Sequence, residues 1–251
     1  MSLQPQLYFL LFILLICKGK SVELQQKISL TKAVEKLAII DCQLQVSCWN
    51  YIHWYQQKDG ETLKRILYAD INDGSTKGND AGDEFKSEKK GSNHFALKIN
   101  KLKKEHLAMY YCACWDYKQM TVGYRKTFGS GTKLYVTGKD QVKAPTLFGY
   151  LPSKKDEKKS DGHGKQTMLC QASGMFPDLV KFAWKKKDAG KWGDVSEGDV
   201  VEQRNDGQEV TVTSMLIVDK DKARNDDYQC TVVHEGKTKE LEMKRGNLKK
   251  L

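Results

Sequence analysis

Short stretches of alternating apolar and polar residues, broken at intervals by glycine, asparagine and aspartate, run through most of this chain. No sustained 3.6-residue period accompanies them, so the pattern predicts an all-β protein with few helices. In the first half Ile40, Cys42, Leu44 and Val46 fall on one face of a strand, with Asp41, Gln43 and Gln45 on the other. In the second half Met168, Cys170 and Ala172 share a face in the same way. Met215, Leu216, Ile217 and Val218 read differently, as a strand apolar on both sides, with one side for a core and the other for a partner. Alternation alone does not decide which phase points inward. A long apolar run, residues 7–17, stands near the start and is followed by small residues. It reads as a secretory signal peptide covering residues 1–19, although no Lys or Arg precedes it. No later segment approaches the ~18 apolar residues that a membrane helix needs.

Cysteine spacing turns the pattern into a domain plan. Removing Cys17 with the signal leaves six cysteines, an even number that suggests disulfides in a secreted chain. Trp54 follows Cys42 by 12 residues and Cys112 follows it by 70; Trp184 follows Cys170 by 14 and Cys230 follows it by 60. Tyr110 and Tyr228 each stand two residues before the second cysteine of their half. An immunoglobulin sandwich requires this set: two sheets pinned by a disulfide, an indole packed on the sulfurs, and a tyrosine whose hydroxyl ties the corner before the second cysteine. The ten additional residues between the first pair of cysteines fit a variable-type unit and the shorter span a constant-type unit. The expected order is a signal peptide (1–19), a variable-type domain (20–137), a linker (138–143), a constant-type domain (144–244) and a basic tail (245–251).

With Trp54-Tyr55-Gln56-Gln57-Lys58, Tyr110-Tyr111-Cys112 and Phe128-Gly129-Ser130-Gly131-Thr132 in the first unit, the chain resembles an antigen receptor. The segments 175–184 and 232–235 of the second unit make it similar to T-cell receptor gamma chains in rearranged V-J-C order, of a fish-like or other non-mammalian type. Immunoglobulin light chains share the variable signature and are the nearest competitor. The resemblance implies recognition of a protein or lipid-presenting antigen through three clustered loops, and heterodimer formation with a delta-like receptor chain. It also implies CD3-type signalling subunits if the chain is membrane-bound, and a place in the secretory pathway and at the cell surface.

Phase and the sandwich plan then nominate residues. If Trp54 and Cys112 point inward, Tyr55, Gln57 and Tyr111 point to the opposite face, where with Phe128 they form the expected chain-pairing surface. The first loop, 47–52, offers Trp49, Asn50 and Tyr51; the second, 70–77, offers Asp70, Asn72 and Asp73 and reads as a flexible polar turn. The third loop carries Trp115, Asp116, Tyr117, Lys118, Tyr124 and Arg125, a mixture of aromatic anchors and adaptable polar groups of the kind that paratopes use. Cys48 and Cys114 lie where the first and third loops begin and are expected to form a second disulfide, although four cysteines in one unit allow three pairings. Glu84 and His106 stand where variable domains carry an Arg and an Asp that bridge the lower edge; the exchanged signs suggest an edge favoured by acid.

Charge and chemistry add little. The formal charge is +10, but Lys residues are interleaved with Asp and Glu and form no dense stripe, so no nucleic-acid partner is expected. There is no Asn-x-Ser/Thr acceptor for N-glycans. The five histidines form no helical pair and no Gly-x-Ser-x-Gly occurs, so neither enzymatic activity nor a cofactor is expected. A metal site is not expected either, since Cys48, Cys114 and His53 would offer only three irregularly spaced ligands.

Overall fold

The computed structural model describes residues 24–45, 48–116, 125–139, 141–152, 164–244 and 249–250. The expected signal peptide, Val46, Tyr117, Lys118 and Tyr124 lie outside them. The first unit runs β1 (Leu24–Gln25), β2 (Ser29–Ala33), β3 (Ala38–Leu44), β4 (Cys48–Gln57), β5 (Lys64–Asp70), β6 (Thr76–Asn79), β7 (Phe85–Gly91), β8 (His94–Ile99), β9 (Ala108–Asp116), β10 (Lys126–Phe128) and β11 (Thr132–Thr137). Its two sheets have the orders β1-β3-β8-β7 and β2-β11-β9-β4-β5-β6, with β10 paired to β9. The second unit runs β12 (Thr146–Leu151), β13 (Lys165–Ser173), β14 (Lys181–Asp188), β15 (Lys191–Asp194), β16 (Asp199–Asp206), β17 (Val210–Asp219), helix α1 (Lys220–Asn225), β18 (Tyr228–His234), β19 (Lys237–Glu242) and β20 (Lys249–Lys250). Its sheets are ordered β16-β17-β13-β12-β20 and β15-β14-β18-β19.

Two-residue alternation assigns each strand its face. On β3, Ala38, Ile40, Cys42 and Leu44 are buried while Asp41 and Gln43 are not, and on β13 Met168, Cys170 and Ala172 are buried. Cys42 bonds Cys112 and Cys170 bonds Cys230, each with Cα atoms 6.3 Å apart, so one bridge spans each pair of sheets. Trp54 and Trp184 are both buried in these cores. On β17 the inward phase is Leu216 and Val218, which leaves Met215 and Ile217 half-buried on the outside.

The tyrosine corner forms in one unit only. Tyr110 Oη donates to the His106 carbonyl at 2.9 Å and accepts from Gln56 Nε2 at 2.8 Å. Tyr228 Oη is buried and makes no hydrogen bond among the described residues, contrary to the expected corner. The connection before Tyr110 is a single 3-10 turn, Lys104–His106, whereas the connection before Tyr228 is the helix α1. Burial then pushes the Tyr228 phenol up to about 12, with Asp226 and Glu197 adding to it.

At the junction of the units the turn between β18 and β19 meets strand β2. Glu235 Oε2 accepts a hydrogen bond from Thr31 N–H at 2.8 Å, which covers a free donor of this edge strand. Tyr135 on β11 stacks edge-on against Phe176, ring centroids 6.3 Å apart.

Candidate functional site

The glycine-rich stretch after Phe128 brings β11 beside β9. Gly131 has φ +85°, and a Cβ there would lie 2.5 Å from the Tyr111 ring, so this crossing requires glycine. Gln26 completes the junction: Nε2 donates to the Tyr110 carbonyl at 3.0 Å, while Oε1 accepts from Cys112 N–H at 3.1 Å and Gly131 N–H at 3.3 Å. Sequence reasoning missed Gln26. Only its amide chemistry, held against backbone 84 and more residues away, reveals the role.

At the loop end Cys48 and Cys114 are bonded, with Cα atoms 5.6 Å apart. Both sulfurs are thereby consumed, and a thiolate metal site has nothing to use. The bond holds Cys48 in the ladder opposite Asp116, with Trp49 opposite Trp115. Trp49, Asn50 and Tyr51 therefore lie on β4 and not in a free loop, as the sequence had suggested. The register shifts between Trp49 and Ile52, and Asn50 takes φ 56°, so the two extra residues bulge outward.

The second loop is a bonded turn rather than a loose one. Asp70 Oδ1 accepts from Asn72 N–H at 2.9 Å, Asp73 Oδ1 accepts from Ser75 N–H at 2.8 Å, and Ile71 N–H reaches the Asn50 carbonyl at 2.9 Å. Lys89 Nζ on β7 donates to the carbonyls of Ile71 (3.1 Å) and Asn72 (2.8 Å), pinning the turn to the opposite sheet. Asx turns of this sort satisfy backbone donors locally, which is why an acidic, glycine-containing stretch is ordered here. Of the third loop, Trp115 is half-buried at the end of β9 and Arg125 is exposed just before β10. Asp116 closes β9.

On the outer face of the β4-β9 sheet, Tyr55 and Phe128 rings lie 5.2 Å apart, and Phe128 is 41% exposed. Gln57, Leu63, Tyr111 and Phe128 line a shallow apolar depression. Tyr111 Oη lies 3.5 Å from Gln57 Oε1. Lys126 Nζ donates to Tyr55 Oη at 2.7 Å and stands 5.1 Å from the centroids of both Tyr55 and Trp115. His53 sits on the same face, 7% exposed, its ring 5.7 Å from Tyr68. Burial, reinforced by Lys126 and Arg65, pushes its imidazole down to about 4, so it is neutral at physiological pH. Neither of its ring nitrogens makes a hydrogen bond among the described residues.

At the lower edge Lys103 N–H donates to His106 Nδ1 at 3.1 Å, which turns Nε2 towards Glu84 Oε1 at 3.4 Å. Lys103 Nζ binds Glu84 Oε2 at 3.1 Å. Although burial alone would raise the Glu84 carboxyl, Lys103 and His106 hold it below its ordinary value.

A variable-type sandwich with a cross-strapped loop end, followed by a constant-type sandwich, defines a chain of antigen-receptor type. Residues 25–137 match the immunoglobulin V-set domain and residues 150–237 the immunoglobulin C1-set domain. A mouse (Mus musculus) T-cell receptor gamma chain V region, V108A, is 33% identical over 120 residues, which is 45% of this chain and 84% of that one. A rabbit (Oryctolagus cuniculus) Ig kappa chain V region, K-25, is 33% identical over 119 residues, 47% of this chain and 100% of that one. A marsupial T-cell receptor structure superposes with TM-score 0.71 at 27% identity, covering 89% of this chain and 100% of that chain; a chicken T-cell receptor gives 0.68 at 26%, covering 88% and 97%. The chain belongs to the immunoglobulin superfamily, with the T-cell receptor chains. No helix among the described residues is long and apolar enough to cross a membrane.

Proposed function

We propose that this is the gamma-type chain of a heterodimeric T-cell receptor at the cell surface, paired with a delta-like chain. Its loops at the β4-β9 end bind a protein or lipid-presenting antigen. Trp49, Asn50, Trp115 and Arg125 belong to that surface, with the bonded turn of Asp70, Asn72 and Asp73 beside them. In a membrane-bound form, CD3-type subunits would carry the signal.

The observation that carries this reading is a pair of unpartnered apolar faces, one per unit, on the same chain. In the first unit it is Tyr55, Tyr111, Leu63 and Phe128, with Leu63 42% and Phe128 41% exposed. In the second, ladder register sets Tyr150, Leu169, Met215 and Val201 side by side across the outer face of β12, β13, β17 and β16. Faces of this kind on both units fit a partner that is itself built of two sandwiches. Co-expression of the ectodomain with delta-type chains should give a 1:1 complex in size-exclusion chromatography with light scattering. Phe128→Asp should weaken it at least about tenfold, as expected of a central aromatic anchor. The similarity to a rabbit kappa V region favours a second reading, an immunoglobulin light chain. Assembly with a heavy chain but with no delta-type chain would support that reading and overturn the first.

A further inference from the structure

The pairing face carries a cation, Lys126, set against aromatic side chains and without an acid partner among the described residues. Lys126 Nζ donates to Tyr55 Oη, 2.7 Å away at the hydroxyl tip of that ring, and stands 5.1 Å from the Trp115 centroid. Tyr55 touches Phe128, so the ammonium lies beside the apolar pairing surface. His53 lies within its electrostatic reach, with Tyr68 opposite it on β5 and Ala113 opposite it on β9. Arg65, on the neighbouring strand β5, lies 5.2 Å over the Tyr68 ring and is already matched by Asp80 at 2.8 Å. The charges that act on the imidazole are Lys126 and Arg65, both of which oppose its protonation. The local field is therefore positive, and no carboxylate among the described residues offsets it at His53. Sequence extends the imbalance: the third loop, 113–127, holds Lys118, Arg125 and Lys126 against one acid, Asp116.

We infer that Lys126, held by Tyr55 and Trp115, receives a carboxylate side chain from the variable domain of the partner chain. This rests on the pairing reading above and assigns the chemistry that selects among partners. The Tyr55 hydroxyl and the Trp115 ring hold the ammonium in place, so an incoming carboxylate meets a preorganised cation and not a mobile surface lysine. A complementary charge at the edge of an apolar interface discriminates between partners more than it adds to raw affinity.

The test pairs this ectodomain with a panel of delta-type ectodomains that differ in the number of Asp and Glu in their third loops. Dissociation constants come from analytical ultracentrifugation at low and high salt. Acidic-loop partners should bind about tenfold more tightly, and the preference should fade at high salt. Lys126→Met should abolish the preference, and Lys126→Glu should reverse it towards basic loops, while both variants still pair through Phe128. In the acidic pairs the imidazole resonances of His53 should titrate at higher pH than in the free chain, because a carboxylate at Lys126 offsets the opposing field. Pairing that ignores loop charge, or that keeps its preference in Lys126→Glu, overturns the inference and leaves the pairing reading intact. Failure to pair with any delta-type chain removes both.

Discussion

Two tryptophans hold equivalent places in the two sandwiches and are anchored differently. Trp184 Nε1 donates to Ser214 Oγ at 2.9 Å inside the core, whereas Trp54 Nε1 has no partner among the described residues. Ser214→Ala should therefore cost the constant unit about 1–3 kcal/mol in urea unfolding, since it strands a buried indole donor. Trp54→Phe has no such bond to lose and should cost only its packing. At the lower edge, Glu84 sets the pH sense. Its folded value lies below the ordinary 4.5, so the contact with Lys103 and His106 stabilises the fold above that pH and is lost as pH falls through the lowered value. Glu84→Gln should melt below wild type at neutral pH, and the two curves should converge below about pH 4. The core tryptophans were legible because spacing from a cysteine encodes a place in the sandwich. His53 was not: alternation puts it on the outer face, but its neutrality comes first from burial under the folded sheet and then from Lys126 and Arg65, neither of which is its neighbour in sequence.

At the scale of strands, the second disulfide decides how the loop end is built. Cys48 and Cys114 stand 66 residues apart, a ring that alone would be worth about 4 kcal/mol in the chain-entropy model. The Cys42–Cys112 bond already closes most of that ring. What remains is six residues on one side and two on the other, for which the same model gives about 2.5 kcal/mol. The double variant Cys48→Ser/Cys114→Ser should lower variable-unit stability by about that smaller amount in chemical denaturation, and hydrogen exchange at Trp49 and Trp115 should quicken. Strands and their inward faces were readable from two-residue alternation. The end of the first loop was not, because a covalent bond moved Cys48 into the ladder and converted expected loop residues into a bulge. The second loop was misjudged for another reason: composition reports polarity, whereas order depends on where Asp70, Asp73 and Lys89 place their hydrogen bonds.

Across the whole molecule, two units meet through a small set of groups. Burial, with Asp178 and Glu235 nearby, pushes the Tyr135 phenol up to about 12 from 10.0. Its contribution is complete below pH 10 and is lost as pH rises towards 12, so the angle between the units should become variable in that window. Small-angle scattering would register it as a larger radius of gyration. Glu235→Ala, which frees Thr31 N–H, should produce the same broadening at neutral pH without changing either unit's unfolding transition. The tandem architecture was readable from a repeated cysteine spacing, but the junction was not, since the bond from Thr31 to Glu235 joins residues 204 positions apart.

Both sulfur bridges of the first unit end on β9, one reaching β3 and the other β4. A tug on the loop end thus enters three strands through covalent bonds before it loads any ladder in shear. The junction between the units offers far less resistance, a carboxylate on one amide and a pair of rings. Under tension this chain should straighten at its waist long before its tip distorts, so the recognising surface keeps its shape while the molecule lengthens.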